Sequence, residues 1–161
     1  MGRSEIVNVA GLAGEERLEF VLEVAIHPFT IEVLEPGHLA STISGRDVRE
    51  CFDALRRQLE DHGILLCCMG SRPDVWSSGM LHQFSDGREA YLHREGEKAT
   101  NDDVVDIFAP TDASEVVTLE EQRAAFLDAH PILKERLIAK GAVPAPGTAP
   151  SSSAEDQQDS L

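Results

Sequence analysis

The chain has 161 residues, of which 42% are hydrophobic and 27% charged, and its 29 acidic against 14 basic side chains give a formal net charge of −15. These proportions are those of an ordinary globular protein, and no apolar run approaches the roughly 18 residues of a membrane helix, so we expect a cytoplasmic protein without membrane contact. The acidity, unless it serves solubility alone, repels nucleic acid and favours a basic protein partner.

The N-terminal part of the chain predicts paired strands. Residues 18–26 alternate apolar and polar side chains with the period of two that is typical of a strand. Residues 29–35 form a second such run after the break at His27-Pro28, which suggests an antiparallel hairpin. Before this hairpin, the sequence offers at most a short strand at Ile6–Val9.

The strongest helix prediction in the chain follows these strands. Ser44 is expected to cap the helix, Asp47 to lie in its first turn and Gly63 to end it. Helical spacing predicts an apolar stripe that faces the core, made of Val48, Cys51, Phe52, Leu55 and Leu59. The rest of the helix is predicted to be solvated by Arg46, Arg49, Arg56, Arg57, Glu60 and Asp61.

Three further strands are predicted after the helix. ILLCCM at residues 64–69 is apolar at every position, as a central strand is. A turn at Ser85–Gly87 leads into a strand at residues 89–93, and another strand is expected at residues 104–109. Strand, helix and strand with tight joins place the main helix across the sheet.

Two short helices are predicted near the C-terminus. Thr118 and Glu121 have the spacing of a capping box and open a helix over residues 118–130. Pro131 begins a second helix, and Gly141 follows its end. Beyond this glycine the chain is rich in Pro, Ser and acidic residues, with almost nothing to bury, so we expect disorder.

The fold predicted from these elements is α+β. A single domain over residues 1–141 has an antiparallel or mixed sheet of about five strands, packed by one main helix and two C-terminal helices. A disordered tail that is rich in Pro, Ser and acidic residues covers residues 142–161. No internal repeat is visible, which argues against a solenoid.

Motifs of metal, nucleotide and nucleophile chemistry are missing from the sequence. The cysteines, Cys51, Cys67 and Cys68, have no CxxC spacing and are expected to be buried free thiols in a reducing compartment. No HExxH, GxxxxGK[ST] or GxGxxG pattern occurs. We therefore expect no metal and no cofactor.

One stretch, MGSRPDVWSSGM at residues 69–80, concentrates chemically distinctive side chains. It is either a rigid corner that closes the end of the sheet or a surface that recognises a partner, since Arg and Trp are enriched at binding hot spots. The second interpretation names as binding residues Arg72, Asp74, Trp76, Ser78 and Met80.

This stretch also carries a resemblance. Residues 59–80, followed by GREAYLHREGE and DDVVDIFAP, resemble a set of small uncharacterised bacterial proteins. Those proteins share a Gly-[Ser/Ala]-Arg-x-Asp-Val-x-x-Ser-Gly-Met segment followed by Val-Asp-Ile-Phe. The similarity spans Arg49 to Pro110 and implies that this part of the chain is one unit, without implying a mechanism.

Three functions remain open from the sequence. The first is a non-enzymatic, acidic protein-interaction module, such as an immunity-like or antitoxin-like inhibitor of a basic partner. The second is a small enzyme whose site is assembled from Arg72, Asp74, His82 and His93. The third is a regulatory domain that binds a small ligand beneath Trp76. The sequence leaves the oligomeric state open.

Overall fold

Residues 2–141 are described by the structure, a computed structural model, and they form an α+β fold, as predicted. Its strands are β1 (Arg3–Ala13), β2 (Glu16–Ile26), β3 (Phe29–Glu35), β4 (Ser41–Gly45), β5 (Ile64–Leu66), β6 (Val75–Trp76), β7 (Glu89–Leu92) and β8 (Val104–Asp106). Its helices are α1 (Val48–Glu60), α2 (Gly79–Ser85), α3 (Leu119–Asp128) and α4 (Pro131–Ala139). The tail predicted at residues 142–161 lies outside the described residues.

The chain consists of two compact units. The sequence analysis predicted one domain over residues 1–141. The first unit ends at Phe126 and the second begins at Leu127. The first holds the eight strands of the described chain together with α1 and α2, and the candidate site described below belongs to it alone. The second unit holds α4, where Lys134 Nζ pairs with Asp128 Oδ1 at 2.6 Å.

The main sheet has five antiparallel strands in the order β4-β3-β2-β1-β5. Alternation along β2 turns Phe20, Leu22 and Val24 to the inner face, where all three are buried. β1 pairs with β2 along its whole length and is far longer than the short strand predicted. Its own sequence alternates poorly, so the partner strand, not local pattern, defines its extent.

Two other strands of this sheet differ from the prediction. β4 was not predicted, because in STISG only Ile43 is buried and the segment shows no long apolar pattern. β5 was predicted as a central strand but is an edge strand that pairs with β1 alone. Residues 64–69 are all apolar because Cys67 and Cys68, which follow β5, are also buried as the chain leaves the sheet.

Helix α1 packs its predicted apolar stripe into the core on the inner face of the sheet. All five stripe residues are buried, which confirms that prediction. The cap is Asp47 and not Ser44: the Asp47 carboxylate accepts the Glu50 amide at 2.8 Å, whereas Ser44 belongs to β4. The prediction that Arg56 is solvated is wrong, since its side chain is only 1% exposed.

A second antiparallel sheet, in the order β6-β7-β8, joins the 69–80 stretch, which contains β6, to two strands that follow it. The predicted turn before β7 is confirmed, with Asp86 and Gly87 at φ of 55° and 81°. A Cβ at Gly87 would also lie 2.8 Å from the Arg49 amide nitrogen, so this position requires glycine twice over. Helix α2 was not predicted because it buries no residue fully and shows no apolar stripe.

The predicted capping box and the two C-terminal helices are confirmed. The Thr118 amide donates to Glu121 Oε1 at 3.0 Å, and the Glu121 amide donates to Thr118 Oγ1 at 3.1 Å. Pro131 occupies the first turn of α4, and Gly141 after its end has a φ of 79°. Within residues 2–141, no helix is long and apolar enough to cross a membrane.

The three cysteines are free and buried, as predicted. Burial raises the pKa of the Cys51 thiol to about 11 and that of the Cys68 thiol to about 12. Both groups are therefore protonated thiols at neutral pH and poor nucleophiles. They serve the core as small apolar side chains.

Candidate functional site

The predicted binding stretch begins as a tightly bonded corner. Arg72 and Asp74 form a bidentate pair, with Nε donating to Oδ1 at 2.8 Å and Nη2 to Oδ2 at 2.7 Å. Arg72 Nη1 also donates to Thr111 Oγ1 at 3.1 Å. Burial opposes ionisation of Asp74, but the bonds from Arg72 outweigh it and hold the pKa of this carboxyl below its usual value. Both side chains therefore form their hydrogen bonds within the protein.

The remaining predicted binding residues separate from one another. Ser78 caps α2, since its hydroxyl accepts the Leu81 amide at 3.1 Å. Met80 lies on the outer side of the same helix and is 69% exposed. Trp76 alone lines a cleft large enough for a ligand. The structure therefore brings Arg72 and Asp74 together and places Trp76 and Met80 in different surroundings.

A polar cluster that the sequence did not predict lies directly behind the corner. We call it the Gly70 node. The Gly70 carbonyl accepts hydrogen bonds from Gln122 Nε2 at 2.7 Å, Arg56 Nη1 at 3.2 Å and Arg49 Nη2 at 3.4 Å. Gln122 Oε1 in turn accepts from Arg56 Nη1 at 2.6 Å, and Gln122 Nε2 also donates to the Arg72 carbonyl at 2.8 Å. One buried amide thus ties α3 to α1 and to the corner.

Arg56 is the charged centre of the Gly70 node. Its Nη2 donates to the Val117 carbonyl at 3.1 Å, and its guanidinium lies 5.7 Å from the centre of the Phe52 ring. Burial lowers the pKa of Arg56, against the nearby carboxylates of Asp53 at 3.5 Å and Glu60 at 3.8 Å. A signal for its burial existed, because Arg56 follows Phe52 by four positions and therefore falls on the apolar face of α1.

Trp76 forms the wall of a cleft of about 580 Å³, which we call the Trp76 cleft. Its ring stacks on His93 with the centroids 4.0 Å apart, and Phe126 meets it edge-on at 5.6 Å. The apolar part of the lining consists of Val75, Trp76, Leu119 and Phe126. The polar part consists of Arg49, Asp53, Arg57, Glu60, Glu120, Gln122 and Arg123. Only Trp76 of these residues was singled out from sequence.

The four residues of the predicted enzyme site do not converge on one cavity. His82 Nε2 lies 2.8 Å from Asp47 Oδ2, at the start of α1. His93 is instead stacked on Trp76, and its ring nitrogen Nε2 lies 3.2 Å from the Trp76 carbonyl. The Asp74 carboxylate is already taken by Arg72. The backbone carbonyl of Asp74 accepts the His93 amide at 2.8 Å, so Arg72, Asp74 and His93 are neighbours, whereas His82 lies apart from them beside Asp47.

Metal binding has no local support in the part of the chain that is described. No group of three or more His, Cys, Asp or Glu side chains lies close enough there to hold an ion. Two carboxylates of the cleft lining lie beside arginines instead: Asp53 accepts from Arg49 Nε at 3.1 Å, and Glu60 lies 3.8 Å from Arg56. Their negative charge is therefore neutralised by the protein.

The outer face of the main sheet is a second distinctive surface. α1 packs on the inner face, whereas the outward residues of β1, β2 and β3 are solvated. We define the open sheet face by Ile6, Asn8, Glu19, Val21, Glu23 and Glu32. Glu23 and Glu32 stand directly opposite each other across β2 and β3, and Ile6 beside Glu23 is 54% exposed.

Both glutamates line a shallow cavity of about 320 Å³, together with the start of β1 and the turn at His27-Pro28. Ser4 Oγ donates to Glu23 Oε2 at 2.8 Å, and Arg3 also lines the cavity. The other arginine nearby, Arg17, pairs with Glu19 at 3.0 Å. Two carboxylates thus share one small concavity on a face that also exposes an apolar side chain.

Comparison with known proteins adds no assignment to these surfaces. No model of a known protein family matches the chain, and no curated protein matches it in sequence. The resemblance of residues 49–110 to small bacterial proteins therefore stays a prediction.

Proposed function

We propose that the protein is a non-enzymatic interaction module whose open sheet face binds a basic protein partner. The observation that carries this proposal is the pair Glu23 and Glu32, directly opposite on neighbouring strands of an uncovered face. Like charges in this position destabilise a sheet. A cationic side chain placed in the cavity that both glutamates line would relieve their repulsion.

The charge of the whole chain supports the same partner. A formal net charge of −15 creates a long-range field that attracts a basic protein and accelerates encounter. The exposed Ile6 and the half-buried Val21 lie among the glutamates and supply apolar contact area. Charge guides the partner to the face, and apolar burial then holds it there.

Within this class, the function that fits best is an immunity-like or antitoxin-like inhibitor. A small acidic protein that covers a basic enzyme, such as a nuclease, blocks the surface on which that enzyme binds its polyanionic substrate. The inhibitor needs no catalytic residues of its own. This agrees with two observations. Arg72 and Asp74 are hydrogen-bonded to each other, and burial raises the pKa of the Cys68 thiol.

The proposal can be tested with a panel of purified small basic nucleases and a labelled oligoarginine peptide as a reference for unspecific attraction. We expect one nuclease to bind more tightly than oligoarginine, with an association rate that falls as salt is raised. The double variant Glu23→Gln/Glu32→Gln is expected to slow that association by about tenfold.

A matched variant separates the open sheet face from charge in general. Glu95→Gln/Glu97→Gln removes two exposed glutamates from the segment between β7 and β8, so its net charge equals that of the first variant. We expect it to bind nearly as the unmodified chain does. Equal losses in both variants would show that net charge alone attracts the nucleases, and the open sheet face would then not be the docking surface.

A further inference from the structure

The Trp76 cleft has the size and wall of a small-molecule site. Its volume of about 580 Å³ falls within the range of 300–1,000 Å³ that ligand pockets occupy. Val75 and Trp76 of β6 and Leu119 and Phe126 of α3 give it an apolar wall from two different parts of the chain. The Gly70 node fixes these parts against each other, so the cleft is formed before any ligand arrives.

The acids that line the inside of the cleft are already satisfied. Asp53 accepts from Arg49 Nε at 3.1 Å and lies 3.5 Å from Arg56. Glu60 accepts the Leu119 amide, with both carboxylate oxygens within 3.2 Å, and lies 3.8 Å from Arg56. Neither carboxylate needs a cation from solution, because arginines and a helix N-terminus already balance its charge.

Two arginines of the lining remain available. Arg57 on α1 and Arg123 on α3 are exposed, and neither forms an ion pair with another described residue. Glu120 is the one acid of the lining that contacts no arginine within the described part of the chain. The cleft therefore offers two free guanidinium groups beside an aromatic wall, in a chain that otherwise carries a large negative charge.

We propose that the Trp76 cleft binds a small organic anion that joins a flat apolar body to a carboxylate or phosphate group. The body lies on the wall formed by Trp76 and Phe126, and the anionic group accepts hydrogen bonds from Arg57 and Arg123. Guanidinium groups suit this role because their planar fork matches the two oxygens of such an anion. An anion without the apolar body gains only the charge contact and binds more weakly.

Intrinsic fluorescence tests the proposal directly, because Trp76 is the single tryptophan of the chain. Phenyl phosphate is the probe, with benzyl alcohol as the neutral ring and inorganic phosphate as the bare anion. We expect phenyl phosphate to change the emission of Trp76 saturably, and the two reference probes to bind at least tenfold more weakly. No saturable change, or equal binding of all three probes, would overturn the proposal.

Matched variants assign the effect to the cleft. Arg57→Gln/Arg123→Gln is expected to weaken phenyl phosphate binding about tenfold or more, with unchanged denaturation because both residues are exposed. Arg3→Gln/Arg17→Gln removes the same charge from the N-terminal strands and should leave the affinity unchanged. Equal losses in both would refute the assignment. Glu23→Gln/Glu32→Gln should also bind phenyl phosphate normally, so this proposal and that of the open sheet face fail independently.

Discussion

The Gly70 node and the open sheet face use charge in opposite ways. In the node, a guanidinium that is 1% exposed is surrounded by acceptors, and one carbonyl takes three donors. On the open sheet face, two carboxylates stand opposite each other in contact with water. The first arrangement stabilises the fold, because a buried charge without partners would be very costly. The second is expected to lower stability, because like charges directly opposite on neighbouring strands repel each other, and the proposed docking surface rests on this contrast.

The steric fit at Gly70 reinforces this difference. A Cβ at Gly70 would lie 2.7 Å from Phe52 Cε2 and 2.9 Å from Ile107 Cβ, both in the core. The backbone must approach this closely for its carbonyl to meet Arg56 and Gln122. Polar bonding and apolar packing thus depend on the same residue, so the node tolerates little change, whereas Ile6 and Glu32 of the open sheet face are exposed.

The largest effect is expected from removing the charged centre of the node. Arg56→Met should lower the free energy of unfolding by about 3–5 kcal/mol, because it leaves the Val117 carbonyl without its Arg56 donor and removes the buried cation beside Asp53 and Glu60. Arg57→Met, at the next and exposed position, should change it by less than about 0.5 kcal/mol. Urea denaturation measures both. Similar losses of unfolding free energy in the two variants would show that the node contributes no more to stability than the exposed surface does.

The next largest effect is expected at Gly70. Gly70→Ala should destabilise the protein by about 1–3 kcal/mol, since the added methyl group overlaps Phe52 and Ile107. Gly79→Ala is the control, because a Cβ at the start of α2 meets nothing within 4 Å. We expect that variant to be neutral or slightly more stable, as alanine favours a helix over glycine. A neutral Gly70→Ala would mean that the corner is loosely packed.

The Arg72–Asp74 pair is expected to show its contribution through pH. The pKa of Asp74 is lowered in the folded chain, so the stabilisation is present above the unfolded value of about 3.9 and is lost as pH falls below it. Asp74→Asn should therefore lose about 1 kcal/mol at pH 7 and less at pH 3. Asp102→Asn, at an exposed position, should show no such difference between the two pH values in urea denaturation.

The smallest effect is expected on the open sheet face and has the opposite sign. Glu32→Gln should raise the free energy of unfolding by about 0.2–1 kcal/mol at low salt, because it removes the repulsion from Glu23. The gain should shrink as salt is added. Glu95→Gln, away from the face, should give no comparable gain. A loss of stability in Glu32→Gln would show that the glutamate pair supports the fold, which would remove the argument for a docking role.

Local pattern was sufficient for the elements whose side chains carry their own periodicity. The alternation in β2 and β3, the apolar stripe of α1 and the capping box at Thr118 all appear where they were expected. Pattern failed for β4 and α2, which have few buried residues, and for the cap of α1. β4 is a strand because it pairs with β3, whereas α1 and α2 begin at local caps, made by Asp47 and Ser78, that the sequence prediction missed.

The candidate sites were predicted less completely than the fold. The sequence pointed to the 69–80 stretch, and Trp76 does line a cleft, but Arg72 and Asp74 bond to each other. The sequence did not indicate Arg57 and Arg123 as site residues, because they are 66 positions apart and have the pattern of ordinary solvated charges. Only the packing of α3 beside α1 brings them to one cavity.

By itself, the sequence determined the α+β class, the acidity, the buried thiols and the amphipathic helix, because each follows from composition or from short-range periodicity. Tertiary structure decided which of two adjacent arginines is buried, which strand lies at the edge and which glutamates face each other. These outcomes depend on contacts between residues far apart in the chain, such as Arg56 with Gln122 and Glu23 with Glu32. A hydrogen bond or a repulsion acts through distance in space, and folding alone sets that distance.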